Sequence, residues 1–374
     1  MKMKIAVFHQ FLDNIGGAEI VTLTLARELN ADVYTTNIDK EKIIKMGFSD
    51  VLLRIKSIGK IPINAPFRQQ SSLSKFKKLN LKKKYDFYII AGDWAMSSAI
   101  NNKPNLWYIH SPLNELWAFK GFIKKNLLSW WKKPIFEIWV MLNKILTRKY
   151  SKHINNWVCN SNNTKNRIKK YYYKDATIIN PPIETKKYKF NKFGDYWLSV
   201  NRLAVAKRIE IQMKAFAKMP DKKLIIVGSY EKGAKQFEDY KKYLQKIKTK
   251  NIEIINWIDD KKLAELYANC KGFITSAIDE DFGMTVLEAM ASGKPVIAPD
   301  EGGYKETITK NTGVLIDNIN EDKLIEAVKV IENKIKKNPG KIRKECEKQA
   351  KKFDTKVFIE KIKRIIAYKK CSKK

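Results

Sequence analysis

At 374 residues, 44% of them hydrophobic and 11% aromatic, the chain is too long for most single cores and too apolar to be disordered, so two ordinary domains are expected. The 74 basic residues outnumber the 39 acidic ones and leave a formal charge of +35, which invites nucleic acid, anionic lipid or a phosphorylated substrate. Most of the excess is Lys scattered with Asn and Ile, so biased composition explains the charge as readily as a binding surface does.

The first half alternates short strand-like runs with helical patterns. Residues 5–8 read as a strand, and Gly16-Gly17 opens a helix through Leu29 with Val21, Leu25 and Leu29 on one face. Strands follow at 32–34, 87–91, 106–109, 158–160 and 177–179, a series that implies a doubly wound α/β domain. Asn180-Pro181-Pro182 breaks the pattern with a fixed extended segment. The second half repeats the architecture, with strands at 197–200, 223–227, 252–255, 272–275 and 295–298, and a last helical pattern at 357–368. Two such domains in tandem would leave a cleft, with ligands at the carboxyl ends of strands.

The four cysteines, Cys159, Cys270, Cys346 and Cys371, form no C-x-x-C pair, and the three histidines are dispersed. Reduced thiols and no metal site are expected. The chain enters its first strand with no signal peptide, and no window reaches about 18 uninterrupted apolar residues. The expected location is cytoplasmic, at most peripheral on the cytoplasmic face of a membrane.

Four groups of residues could carry chemistry. Gly16-Gly17-Ala18-Glu19 follows the first strand, where glycines let backbone approach a phosphate and a helix N-terminus stabilises charge. It is not G-x-G-x-x-G, and a plain turn explains two glycines as well. Arg202 and Lys207, five apart at the end of the strand 197–200, could share an anion, Arg as a fork and Lys as a point charge. Glu280 and Glu288 flank a loop closed by Gly283 and a helix start, so carboxylates could grip hydroxyls on either side of an anion held at the junction. His110 ends the strand 106–109, which would point it into the cleft and let it titrate near neutral pH; a His bonded to a neighbouring carbonyl is the plainer alternative.

In combination, E-D-F-G-M-T-V-L-E at 280–288, R-x4-K at 202–207 and G-G-A-E at 16–19 resemble the family 4 retaining glycosyltransferases. The run Y-I-H-S-P-L-N-E-L-W at 108–117, N-S-x5-R-I-x3-Y at 160–172 and P-P-I at 181–183 resemble a mannosyltransferase-like branch. The resemblance covers about residues 5–308 and implies the GT-B fold. Residues 1–182 would be an acceptor-binding Rossmann-like domain and 183–350 a donor-binding one, with 351–374 a helix packing back on the first.

The resemblance also assigns roles. Gly16 and Gly17 would face the donor diphosphate, which Arg202 and Lys207 would neutralise as it leaves. Glu280 would contact the transferred sugar near its anomeric centre and Glu288 the donor ribose. Backbone at Phe282, Gly283, Met284 and Thr285 would hold sugar hydroxyls and the distal phosphate. His110 would touch the donor sugar or support the reacting centre. Catalysis by His110, Glu280, Arg202 and Lys207 would need no metal and no cofactor. GDP-mannose is the favoured donor, with UDP-sugars open, and the acceptor would be a glycan or lipid-linked sugar. Asn201 stands where the family usually has Gly, and Asn tolerates left-handed backbone.

Between 120 and 152, Phe122, Ile123, Leu127, Leu128, Trp130, Trp131, Ile135, Ile138, Trp139 and Leu142 interleave with Lys124, Lys125, Lys132, Lys133, Lys144 and Arg148. Such a stretch fits docking on an anionic membrane or packing in the core. Rivals are an enzyme of this fold that makes or phosphorolyses a disaccharide, a basic membrane- or nucleic-acid-binding protein without turnover, and a nicotinamide-dependent oxidoreductase. The intact Glu and Arg/Lys pairs count against the second, so no nucleic-acid partner is expected. The missing glycine fingerprint counts against the third.

Overall fold

The computed structural model describes residues 3–228, 235–256 and 258–371. The chain divides into two compact units, residues 1–182 together with 356 onward, and residues 183–355.

In the first unit, seven parallel strands form one sheet: β1 (Ile5–Phe8), β2 (Asp32–Thr35), β3 (Ile55–Ser57), β4 (Phe87–Ile90), β5 (Asn105–Ile109), β6 (Asn156–Cys159) and β7 (Thr177–Ile178). Their order is β3-β2-β1-β4-β5-β6-β7. β1, β4 and β5 are buried along their whole length, as parallel strands covered on both faces are. Phe8 stacks on Tyr88 with centroids 5.7 Å apart, in a core that includes Phe76, Trp107, Ile109 and Leu116. The register sets Phe8 beside Ile90 and Ile90 beside Trp107, so the ends of β1, β4 and β5 lie together. The helix Thr355–Cys371 contributes here, with the Phe358 ring edge-on to Tyr108 at 5.6 Å. Residues 351–355 count with the second unit.

The second unit has six parallel strands: β8 (Tyr196–Val200), β9 (Lys223–Val227), β10 (Ile252–Ile255), β11 (Gly272–Ile274), β12 (Val296–Pro299) and β13 (Gly313–Ile316). Their order, β10-β9-β8-β11-β12-β13, places the loops after β8, β11 and β12 side by side. Among the described residues no helix is long and apolar enough to cross a membrane.

Candidate active site

In the second unit the three neighbouring loops are tied by one guanidinium. Arg208 has φ +48, a left-handed conformation that ordinary side chains seldom adopt. Its Nε donates to the Ser276 carbonyl at 2.6 Å, and Nη2 donates to the Ala277 carbonyl at 3.3 Å and to Glu301 Oε1 at 3.0 Å. The Ser276 hydroxyl lies 2.8 Å from the Lys207 carbonyl and 2.9 Å from that of Arg208. Glu301 Oε2 accepts from the Asp279 N–H at 3.1 Å, and the Glu280 carbonyl accepts from the Gly303 N–H at 2.7 Å. A Cβ on Gly302 (φ +56) would lie 2.3 Å from the Glu280 carbonyl oxygen, so glycine is required for this approach.

This frame brings Lys207 and Glu280 into a direct ion pair, both side chains partly buried. Arg202 is exposed on the loop after β8. Asn201 is not among the positive-φ residues, so the left-handed geometry expected there falls on Arg208 and Asp279 instead. Asn201 is buried, donating its N–H to the Val227 carbonyl at 3.0 Å and Nδ2 to Ser199 Oγ at 2.9 Å. Arg208→Ala would strip the Ser276 and Ala277 carbonyls of a charged donor. A loss of roughly 2–3 kcal/mol is expected in urea unfolding of the purified chain.

Gly283, at φ +85, caps the helix Met284–Ala291, and a Cβ there would enter the Tyr304 ring. Its first turn leaves backbone N–H groups at the positive end of the helix dipole. Met284 and Thr285 are partly buried, while the Phe282 side chain belongs to the core and packs on Phe353. Glu288, one turn further, is buried and accepts from the Tyr267 hydroxyl at 2.8 Å. Burial pushes its carboxyl up, against the charge of Lys187 and the hydroxyls of Tyr267 and Tyr188. The ribose role expected of Glu288 thus falls on a carboxylate that two tyrosines already orient.

In the first unit, His9, Ala91 and His110 follow or end β1, β4 and β5. Thr22 Oγ1 lies 2.9 Å from His9 Nδ1, and His9 Nε2 lies 3.8 Å from Glu19 Oε1. Glu19 sits in the first turn of the helix Gly17–Leu29, and a Cβ on Gly16 would be 2.7 Å from its Oε2. Gly16 therefore makes room for a carboxylate, and a phosphate reaching Gly16 and Gly17 would meet that negative charge. Burial works to raise the Glu19 carboxyl, but the hydrogen bond and charge of His9 outweigh it and hold Glu19 below its ordinary value.

The expectation that His110 titrates near neutral pH does not hold. Burial, then the charge on His9, draw it down to about 3, against the opposing pull of Glu19 and the Ala91 backbone. The loop is held by Asn160, whose Nδ2 donates to the His110 carbonyl at 2.8 Å. Asn160 lay in a motif read from the sequence, yet His9 and Tyr267 carried no signal of their own. Among the described residues no three His, Cys, Asp or Glu side chains are grouped to hold a metal.

The stretch 120–152 forms the helices Lys120–Asn126 and Lys132–Ser151. One face of the longer helix buries Val140, Asn143, Thr147 and Tyr150. Another exposes Ile135, Ile138, Met141, Leu142 and Ile145, each at 50% or more, with Trp130 at 81% just before it. Three of the interleaved cations have partners within the unit: Lys124 pairs with Glu137, and Lys144 and Arg148 lie over the Trp117 ring.

Residues 182–353 match the family model described as glycosyl transferases, group 1. The chain is 27% identical over 379 residues to the alpha-1,3/1,6-mannosyltransferase ALG2 of Candida glabrata, covering 82% of this chain and 78% of that protein. A GDP-mannose-dependent alpha-mannosyltransferase of Mycobacterium tuberculosis is 51% identical over 57 residues, 15% of each chain. Among solved structures, Anabaena Alr3699/HepE in complex with UDP-glucose superposes with a TM-score of 0.75 at 17% identity, over 98% of this chain and 100% of that one.

The chain is a glycosyltransferase of the two-Rossmann, GT-B architecture. The group 1 match is confined to residues 182–353, and over most of its length the chain is similar in sequence to mannosyltransferases.

Proposed function

We propose that the chain transfers mannose from GDP-mannose to a lipid-linked glycan, with retention at the anomeric centre. The observation that carries this reading is the Lys207–Glu280 pair in loops that neighbour the start of the helix Met284–Ala291. Charge develops on the departing diphosphate, so cations and helix N–H groups already in place stabilise the transition state more than the ground state. Lys207 and Arg202 would take the phosphates without a metal, Glu280 a hydroxyl of the transferred sugar, and Glu288 the ribose. His110 would accept a hydroxyl bond from a sugar, and the first unit would hold the acceptor. No side chain stands out as a covalent nucleophile, which favours attack on the leaving-group face.

Mannose and GDP are supported by the relatives that bear those names, ALG2 over most of the chain and the mycobacterial enzyme over a short run. The neighbour bound to UDP-glucose favours a UDP-hexose as the second reading. Incubation with GDP-mannose and a polyprenyl-diphosphate oligosaccharide, read by proton NMR of the new linkage, tests the proposal. An α-mannosyl product supports it; transfer only from UDP-hexoses replaces the donor.

The exposed stripe from Trp130 to Ile145 would seat the enzyme on an anionic bilayer, with Lys125, Lys132 and Lys133 beside the headgroups. Replacing Trp130, Ile138 and Leu142 with Ser is expected to weaken binding to phosphatidylglycerol vesicles at least roughly tenfold, since each buried side chain contributes about 1.5–3 kcal/mol. Transfer to a short water-soluble acceptor should stay unchanged. Vesicle sedimentation beside that assay checks both.

A further inference from the structure

Segments that follow β4 and β5 in the first unit bring a half-buried carboxylate against two tryptophans. Trp94, on the 3-10 helix Asp93–Ile100, donates its indole Nε1–H to Glu115 Oε1 at 2.9 Å. The Trp139 ring, from the helix Lys132–Ser151, lies 6.0 Å from that of Trp94. We propose that Glu115 and Trp139 form a subsite for a sugar of the acceptor, binding its hydroxyls through the Glu115 carboxylate and the Trp139 indole N–H. This rests on the reading above that the first unit holds the acceptor.

Hydrogen-bonding capacity is left over around this cluster. The chain has 74 basic residues, yet among the described residues none pairs with Glu115, and its Oε2 carries no hydrogen bond. Burial pushes the carboxyl up, opposed by its own backbone and the Trp94 indole; no cation acts on it. The Trp139 Nε1–H is buried with no partner, and so is Gln69 Oε1. Gln69 lies on the helix Phe67–Lys78, whose Ser72 hydroxyl donates to the Trp94 carbonyl at 3.2 Å. A native interior seldom leaves such groups unmatched. A cation would answer the carboxylate but not the indole, and an anion would answer the indole but be repelled by the carboxylate. A hydroxyl donates to one and accepts from the other, so a sugar suits both.

The loop that carries Glu115 is braced on several sides. Leu113, buried, holds φ +38, an uncommon conformation for a leucine. Arg167 Nη1 lies 3.4 Å from Ser111 Oγ and 3.5 Å from Asn114 Oδ1, and the Trp117 ring stacks on Tyr171 at 4.7 Å. Gln70 Nε2 donates to Asn143 Oδ1 at 2.7 Å, which ties the helix Phe67–Lys78 to the helix that bears Trp139. A carboxylate and an indole fixed in this way lose little freedom when a sugar binds.

The test is steady-state transfer from GDP-mannose to a polyprenyl-diphosphate oligosaccharide by the full chain. Glu115→Gln keeps a carbonyl oxygen for the Trp94 indole and replaces the other oxygen with a donor. It should raise the acceptor KM roughly tenfold, the contribution of one hydrogen bond to a charged group, with the GDP-mannose KM unmoved. Trp139→Phe keeps a ring, removes the N–H, and should raise the acceptor KM by roughly a few-fold, again without the donor KM. An unchanged acceptor KM in Glu115→Gln would leave the cluster to bound water and overturn the subsite, while transfer by the wild type upholds the proposed function. A rise of both KM values together marks a loosened loop and also overturns the subsite. Should Glu115→Gln fail to fold, Trp139→Phe decides by the same two readings. No transfer by the wild type, from GDP-mannose or a UDP-hexose, overturns the proposed function and the subsite with it.

Discussion

Lys207→Ala is expected to slow sugar transfer by roughly 10²–10³-fold, the usual cost of removing one donor aimed at developing charge. Two effects act in the same direction. The departing diphosphate loses a cation, and the Glu280 carboxylate, now without its partner, adds repulsion where negative charge accumulates. Folding should barely change, because the Lys207 carbonyl still accepts from Ser276 and a partly exposed ion pair contributes about 1 kcal/mol or less. Lys207→Arg keeps the charge but not the shape, so partial recovery is expected. Single-turnover kinetics with labelled donor check the series. Activity of Lys207→Ala within a few-fold of wild type would remove Lys207 from the reaction.

Glu288→Ala is expected to abolish donor binding at working concentrations and to cost stability as well. The Tyr267 and Tyr188 hydroxyls would lose a buried acceptor, a loss of about 1–3 kcal/mol. A roughly hundredfold weaker donor complex corresponds to about 2.7 kcal/mol of lost binding energy. Donor at a hundred times the wild-type Kd should stabilise the native enzyme by about 2.7 kcal/mol and the variant by only about 0.4 kcal/mol. Glu288→Gln separates the two losses. Its amide oxygen can still accept from Tyr267, so folding should recover while donor affinity stays low. Thermal unfolding with and without donor measures both.

Much of the scaffold was legible because parallel strands buried on both faces appear as apolar runs. Residues 5–8, 223–227 and 252–255 have the bounds read from the chain. β3, Ile-Lys-Ser at a sheet edge, and β13, opened by Gly313, were not read as strands. Mixed polarity hides the first. The second begins with a residue chosen because a Cβ would lie 2.2 Å from the Val296 carbonyl.

In the site, residue types were legible and contacts were not. Lys207 and Glu280 stand 73 positions apart, and only the β8-β11 neighbourhood joins them. The role of Arg208 in tying the loops comes from a left-handed backbone that no local pattern announces. His110 was placed correctly at a strand end, but its titration depends on burial and on His9, a hundred residues earlier in the chain. The stretch 120–152 was ambiguous for a different reason. Periodicity marks an apolar face without saying how many faces are covered, and here a second one is left exposed.

Calorimetric titration of GDP-mannose and of UDP-glucose into the native enzyme, repeated with Glu288→Ala, is the most direct measurement. Saturable binding of GDP-mannose, at least tenfold tighter than UDP-glucose and lost in the variant, is the expected result. Preference for UDP-glucose would overturn the mannose donor, and equal binding of GDP-mannose by Glu288→Ala would place the donor site elsewhere in the chain.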